Sequence, residues 1–82
     1  MERKPPYNHH VDVAGEIVKV TPTEDGGKIF TLHNFNKTIK VLFPAEALGR
    51  LDFDPVLGLH IRALSSRDRI SGMWVAKRAR IS

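Results

Sequence analysis

The side chains that could do covalent chemistry are few here, and their spacing does not assemble a reaction centre. Histidines stand at 9, 10, 33 and 60, serines of interest at 65, 66 and 71, and there is no cysteine. Without a thiol there is no disulfide, no thiolate metal ligand and no cysteine nucleophile. The histidines are not spaced with acids as a ligand set, and adjacent His9 and His10 point in different directions. Ser65, Ser66 and Ser71 have no histidine and aspartate set around them at a recognisable spacing. A glycine-rich phosphate loop and an HExxH helix are both missing. The expectation is therefore a binding protein that is not an enzyme and needs no cofactor or metal.

The chemistry the residues do support is the holding of an anion. Residues 1–59 carry seven Lys/Arg against eight Asp/Glu, a net of −1. Residues 60–82 carry six (Arg62, Arg67, Arg69, Lys77, Arg78, Arg80) against Asp68 alone, a net of +5. The whole +4 excess thus sits in the last quarter of the chain. A localised basic patch attracts polyanions by steering and counterion release. On charge alone, a solvated surface fits equally well. The only tryptophan, Trp74, lies inside this basic quarter.

Those residues need elements to hold them. Eighty-two residues make one small domain with a modest core. No apolar run is long enough to span a membrane, and "MERKPPYNHH" lacks the apolar centre of a secretory signal, so a cytoplasmic protein is expected. Residues 1–10 read as a flexible N-terminal arm and 11–82 as the folded domain. "VDVAGEIVKV" alternates through Val11, Val13, Gly15 and Ile17, then shifts phase to Val18 and Val20, which predicts a bulge or sharp bend near the glycine. "TPTEDGG" is a loop. "KIFTLHNF" places Phe30 and Leu32 inward and Ile29, Thr31 and His33 outward. Asn36-Lys37 is the expected turn. "TIKVLFP" places Ile39, Val41 and Phe43 inward and Thr38, Lys40 and Leu42 outward, and Pro44 ends the ladder. "PAEALGRL" gives one or two helical turns. "LHIRAL" is a fourth strand with Leu59, Ile61 and Ala63 on one face and His60, Arg62 and Leu64 on the other. "SSRDR" reads as a polar loop.

The final "GMWVAKRARIS" alternates too, so it is a fifth strand and not a basic tail. Met73, Val75, Ala79 and Ile81 are expected in the core, with Trp74, Ala76, Arg78 and Arg80 outward. Lys77 falls on the apolar phase and must snorkel at a rim or sit at an irregularity.

Five strands with a short helix between the third and fourth make an all-β pattern that a closed barrel satisfies without exposed edges. In outline residues 10–82 resemble the five-stranded Greek-key barrel of the oligonucleotide/oligosaccharide-binding (OB) fold. The resemblance rests on the "VAGEIVKV" strand with its internal glycine, on "KIFTLHNF", on "TIKVLFP" followed by a short helix, and on "VLGLHIRAL" and the closing strand. An SH3-like barrel is the structural rival, and the helix after the third strand favours the OB arrangement. The resemblance implies a ligand crossing strands two and three between the first and last hairpin loops. It also implies that strand five lies beside strand three, with Trp74 and Arg78 next to Lys40.

Single strands are held by cations along the phosphates and by rings under the bases. Lys40, Arg62, Arg67, Arg69, Arg78 and Arg80 are the candidate cations. Trp74 and His33 are the candidate rings, with Phe35 as a further one. Packing at a barrel end is the alternative role of Trp74, and solvation that of the loop arginines. Glu24 and Asp25 place negative charge in a loop expected to flank the site. The expected function is binding of single-stranded DNA or RNA with little sequence specificity. The alternative is an OB-type protein-interaction unit, an accessory subunit or homodimer, suggested by outward Ile29, Leu42 and Leu64 and by the acidic first loop.

Overall fold

The computed structural model describes residues 10–82. Apart from His10, which is exposed and outside any element, the expected N-terminal arm lies outside the described residues. The chain forms β1 (Val11–Pro22), β2 (Lys28–Asn34), β3 (Lys37–Phe43), a short helix α1 (Ala45–Gly49), β4 (His60–Arg67) and β5 (Trp74–Ile81). The strands close into a barrel in the order β1-β2-β3-β5-β4. All pairings are antiparallel except β3 with β5, which run parallel. The all-β, five-stranded barrel with one helix between the third and fourth strands is thus the observed architecture. No helix among the described residues is long and apolar enough to cross a membrane.

Closure depends on β1, which serves two neighbours. Its first half pairs with β4 from Val11 to Glu16, and its second half pairs with β2 from Glu16 to Pro22. Glycine is required where it changes partner: a Cβ on Gly15 would lie 2.8 Å from the His33 carbonyl oxygen. The irregularity itself falls three residues later than the sequence suggests. The register skips Val18, which is left without a partner between Ile17 and Lys19. An inserted residue of this kind reverses the inward phase, so Val13 and Ile17 are buried and Val20 then packs on the core.

The barrel is filled by Ile17, Phe30, Leu32, Val41, Phe43, Ile61 and smaller residues, with Phe30 and Phe43 meeting edge to face at 4.8 Å. Full burial of each such side chain contributes about 1.5–3 kcal/mol. Pro44 ends β3 and caps α1, whose Ala47 is buried against the barrel.

Three local expectations are corrected. The first turn of the β2–β3 hairpin is Phe35-Asn36, because Asn34 pairs with Lys37 and Lys37 already belongs to β3. "SSR" is not a loop but the end of β4. Ser65 is fully buried on the inward phase, and its hydroxyl donates to the Ala63 carbonyl at 3.1 Å. That internal bond removes the penalty that made a serine look like a loop residue. Finally, Trp74 and Ala76 face the core, while Val75 pairs with Leu42 on the outside. Ile81, expected in the core, is exposed at the strand end, and Met73 precedes β5. The cause is a bulge: Ser65 pairs with Ala76 and Leu64 with Arg78, so Lys77 is the extra residue. Lys77 is therefore the irregularity its phase called for, and on its N-terminal side the inward and outward faces exchange.

Candidate nucleic-acid interface

The bulge decides how the cations are arranged. Beyond Lys77, Arg78 and Arg80 are exposed and Ala79 packs inward. Across the ladder Arg80 lies directly opposite Arg62, and Arg78 opposite Leu64. Like charges facing each other in a sheet are destabilising, by the same few tenths to about 1 kcal/mol that opposite charges contribute. One acid partly offsets the cluster: Asp12, on β1, reaches Arg62 at 3.8 Å. Both side chains are substantially exposed, so the pair contributes at most about 1 kcal/mol. Asp12, Arg62, Leu64, Arg78, Ala79 and Arg80 line an open groove of about 280 Å³. Three cations against one anion leave it positive. Arg50, just past α1, donates from Nη1 to the Lys77 carbonyl at 3.1 Å and so braces the bulge, without lining the groove itself. The sequence reading passed over Arg50, since only a fold places the helix end against the bulged strand.

Arg67 and Trp74 belong to a different place, the mouth of the β4–β5 loop. That loop is held by its own polar groups. The Asp68 carboxylate accepts from the Ser71 hydroxyl at 2.6 Å and from the Ser71 N–H at 3.0 Å. The Asp68 N–H donates to the Met73 carbonyl, and the Gly72 N–H to the Asp68 carbonyl. The Ser71 bonds favour the charged form and hold the Asp68 carboxyl below its ordinary range. Arg67 donates from Nε to the Gly72 carbonyl at 3.0 Å, which sets its guanidinium 5.3 Å from the centre of the Trp74 ring. Such cation–π contacts are worth about 0.5–1 kcal/mol at exposed sites.

Trp74 is thus half-buried, packed on the core and covered by Arg67, not an outward neighbour of Arg78. Its partners across the ladder are Val41 and Arg67. Arg69 is exposed near the loop tip, next to Ile70, which is 96% exposed.

On the opposite hairpin Lys40 is exposed and pairs with Thr31, which in turn pairs with Lys19 on β1. Lys19, another cation passed over in the sequence, therefore forms a row with Lys40 across three strands. His33 is exposed, between Glu16 and Thr38. The eight candidates thus divide into an arginine groove (Arg62, Arg78, Arg80), a loop mouth (Arg67, Arg69, Trp74) and the β2–β3 face (His33, Lys40).

The acidic first loop has a structural explanation. The Thr23 hydroxyl donates to Asp25 and accepts from the Gly27 N–H at 3.0 Å, while the Thr23 N–H donates to the Gly27 carbonyl. Thr23 and then Gly27 lower the Asp25 pKa. Asp25 and Asp68 are both turn acids that tie their own loops. Among the described residues no group of three or more His, Asp or Glu is placed to hold a metal ion. Comparison of the sequence with protein-family models and with curated proteins gives no match.

Proposed function

We propose that this chain is an OB-type barrel that binds single-stranded DNA or RNA with little sequence specificity, as a binding module and not a catalyst. The strand order, the parallel β3–β5 pair and the helix after β3 support the OB assignment. The observation that carries the binding is Arg62 opposite Arg80 with Arg78 beside them in one groove. Their repulsion is relieved when phosphates occupy the groove and counterions leave. The open groove runs along β4 and β5, with Asp12 of β1 on one side.

The test is fluorescence anisotropy of end-labelled dT, U and mixed-sequence oligomers across salt concentrations. Three arginine–phosphate contacts predict a log–log salt slope near −2, at about 0.7 per phosphate on single strands. Little difference between sequences is expected. Absence of binding at low salt would sink the proposal.

A second reading has one specific observation behind it. Ile29, Leu42 and Val75 form a half-buried apolar row across β2, β3 and β5 on the outside of the barrel. Such a row suits contact with another protein or a second copy. Sedimentation of the wild type and of Leu42→Asp tests it: a dimer lost in the variant supports this reading, and a monomer in both removes its homodimer form.

A further inference from the structure

The β2–β3 turn carries a residue that local energetics disfavour. Phe35 has φ 55° in a two-residue turn closed by Asn34 and Lys37. The left-handed region is uncommon for residues other than glycine, asparagine and aspartate, and glycine or asparagine ordinarily occupies such turn positions. Asn34 and Asn36 stand on either side, yet the strained position holds phenylalanine. Packing does not account for it. Phe30 and Phe43 are buried and Phe53 packs on the core, whereas Phe35 is 90% exposed.

The turn is also held in place, because Asn34 donates from Nδ2 to the Ala14 carbonyl of β1 at 3.2 Å. Two open grooves flank the ring. One is bounded by Glu16, His33 and His60, the other by Asn36, Lys37 and Ile39. Strain maintained by the surrounding structure is characteristic of functional positions.

We infer that Phe35 is a stacking prong for an unpaired base, with Lys37 placed to meet the adjoining phosphate. This rests on the nucleic-acid reading and extends it to the β2–β3 hairpin tip, a contact separate from the arginine groove. The surroundings favour a base over an apolar protein pocket. The grooves beside the exposed ring carry the amides of Asn34 and Asn36, the imidazoles of His33 and His60, Lys37 and one carboxylate, Glu16, with Ala14 and Ile39 as their apolar members. The amides, imidazoles and lysine can hydrogen-bond base edges and neutralise phosphate, whereas an apolar pocket would leave them desolvated.

The experiment compares wild type, Phe35→Asn and Phe35→Trp on two labelled oligomers of equal length, one of dT and one of abasic sugar-phosphate. Asparagine accepts the left-handed conformation, so Phe35→Asn is expected to melt at or above the wild-type temperature. It should lose roughly 5- to 150-fold in affinity for dT, the range of one stacked base, with no loss on the abasic strand. Phe35→Trp should keep wild-type affinity. Equal loss on both oligomers, or no loss on dT, overturns the inference. So does a clearly lower melting temperature for Phe35→Asn, which would mark Phe35 as a packing residue. If the wild type binds neither oligomer at low salt, the nucleic-acid reading itself fails. If it binds dT and Phe35→Asn is unaffected there but abolishes a wild-type dimer, the prong is a protein contact.

Discussion

The two hairpins of the barrel differ in regularity and in charge. Seven pairs run without a break from Lys28–Phe43 to Asn34–Lys37 in β2–β3, and the outer face carries a mixture of Ile29, Thr31, His33, Thr38, Lys40 and Leu42. In β4–β5 the ladder is broken at Lys77, and the outer face beyond the break is dominated by Arg62, Arg78 and Arg80. The regular ladder spreads its cations, with Lys40 alone among neutral side chains on that outer face. The bulged one concentrates them, because one inserted residue brings Arg78 and Arg80 to the outside while sending Trp74 and Ala76 inward. Position within an OB-type fold would point to the β2–β3 face, but the electrostatics favour β4–β5.

The largest expected effect tests that difference directly. Replacing Arg62, Arg78 and Arg80 together by glutamine is expected to lower affinity for a dT oligomer roughly a hundredfold at 0.1 M salt and to flatten the salt slope by about 2. Lys40→Gln alone should cost about fivefold and flatten it by about 0.7. Anisotropy titrations of both variants decide the matter, and reversed magnitudes would move the site to the β2–β3 face. The triple variant should fold as well as the wild type, since it removes a repulsive cross-strand pair.

The bulge can be broken as well. Deleting Lys77 forces β5 either to lose its pairing beyond Ala76 or to turn Trp74 and Ala76 outward, since a one-residue slip exchanges the faces. A destabilisation of at least about 3 kcal/mol is expected, comparable with emptying a core position. Lys77→Ala keeps the inserted residue and its carbonyl bond to Arg50, and should stay within about 0.5 kcal/mol of wild type. Chemical denaturation of the two variants measures the contrast.

These same features set how far the sequence could be read. Phe30, Leu32, Ile39, Val41 and Phe43 were legible because β2 and β3 have no irregularity and alternation alone fixes their faces. The strand count, the helix after β3 and the pairing of β5 with β3 also follow from the sequence and the OB resemblance. The inward turn of Trp74 did not, because the phase of Ala79 and Ile81 was carried backward across a bulge that exists only relative to β4. Lys77 was the available signal, a charge on an apolar phase. Ser65 looked like a loop residue because its hydroxyl partner is a backbone carbonyl two residues away. Each arginine was visible singly, but Arg62 opposite Arg80 is a register property and belongs to no single segment. Phe35 was misplaced by one position because phenylalanine is a poor signal for a left-handed turn.

The smallest expected effect separates the two acid-tied loops. Asp25 and Asp68 both have folded-state pKa values lowered from the ordinary 3.8. A depressed carboxyl contributes stability that is present above its unfolded pKa and lost as pH falls through the folded value. Both contributions are therefore constant from neutral pH down to the ordinary carboxylate range and disappear only below it. Asp68 alone reports through Trp74, because its bonds to Ser71 shape the loop whose Gly72 carbonyl holds Arg67 over the ring. Trp74 fluorescence should thus stay flat on acidification and change only below the ordinary carboxylate range. Ser71→Ala removes the largest cause of the Asp68 shift and should move that change to higher pH, whereas Thr23→Ala, which acts on Asp25, should leave it in place. A Trp74 signal that follows Thr23→Ala instead would mean that the first loop, and with it the β2–β3 side of the barrel, controls the mouth where Arg67 meets the tryptophan.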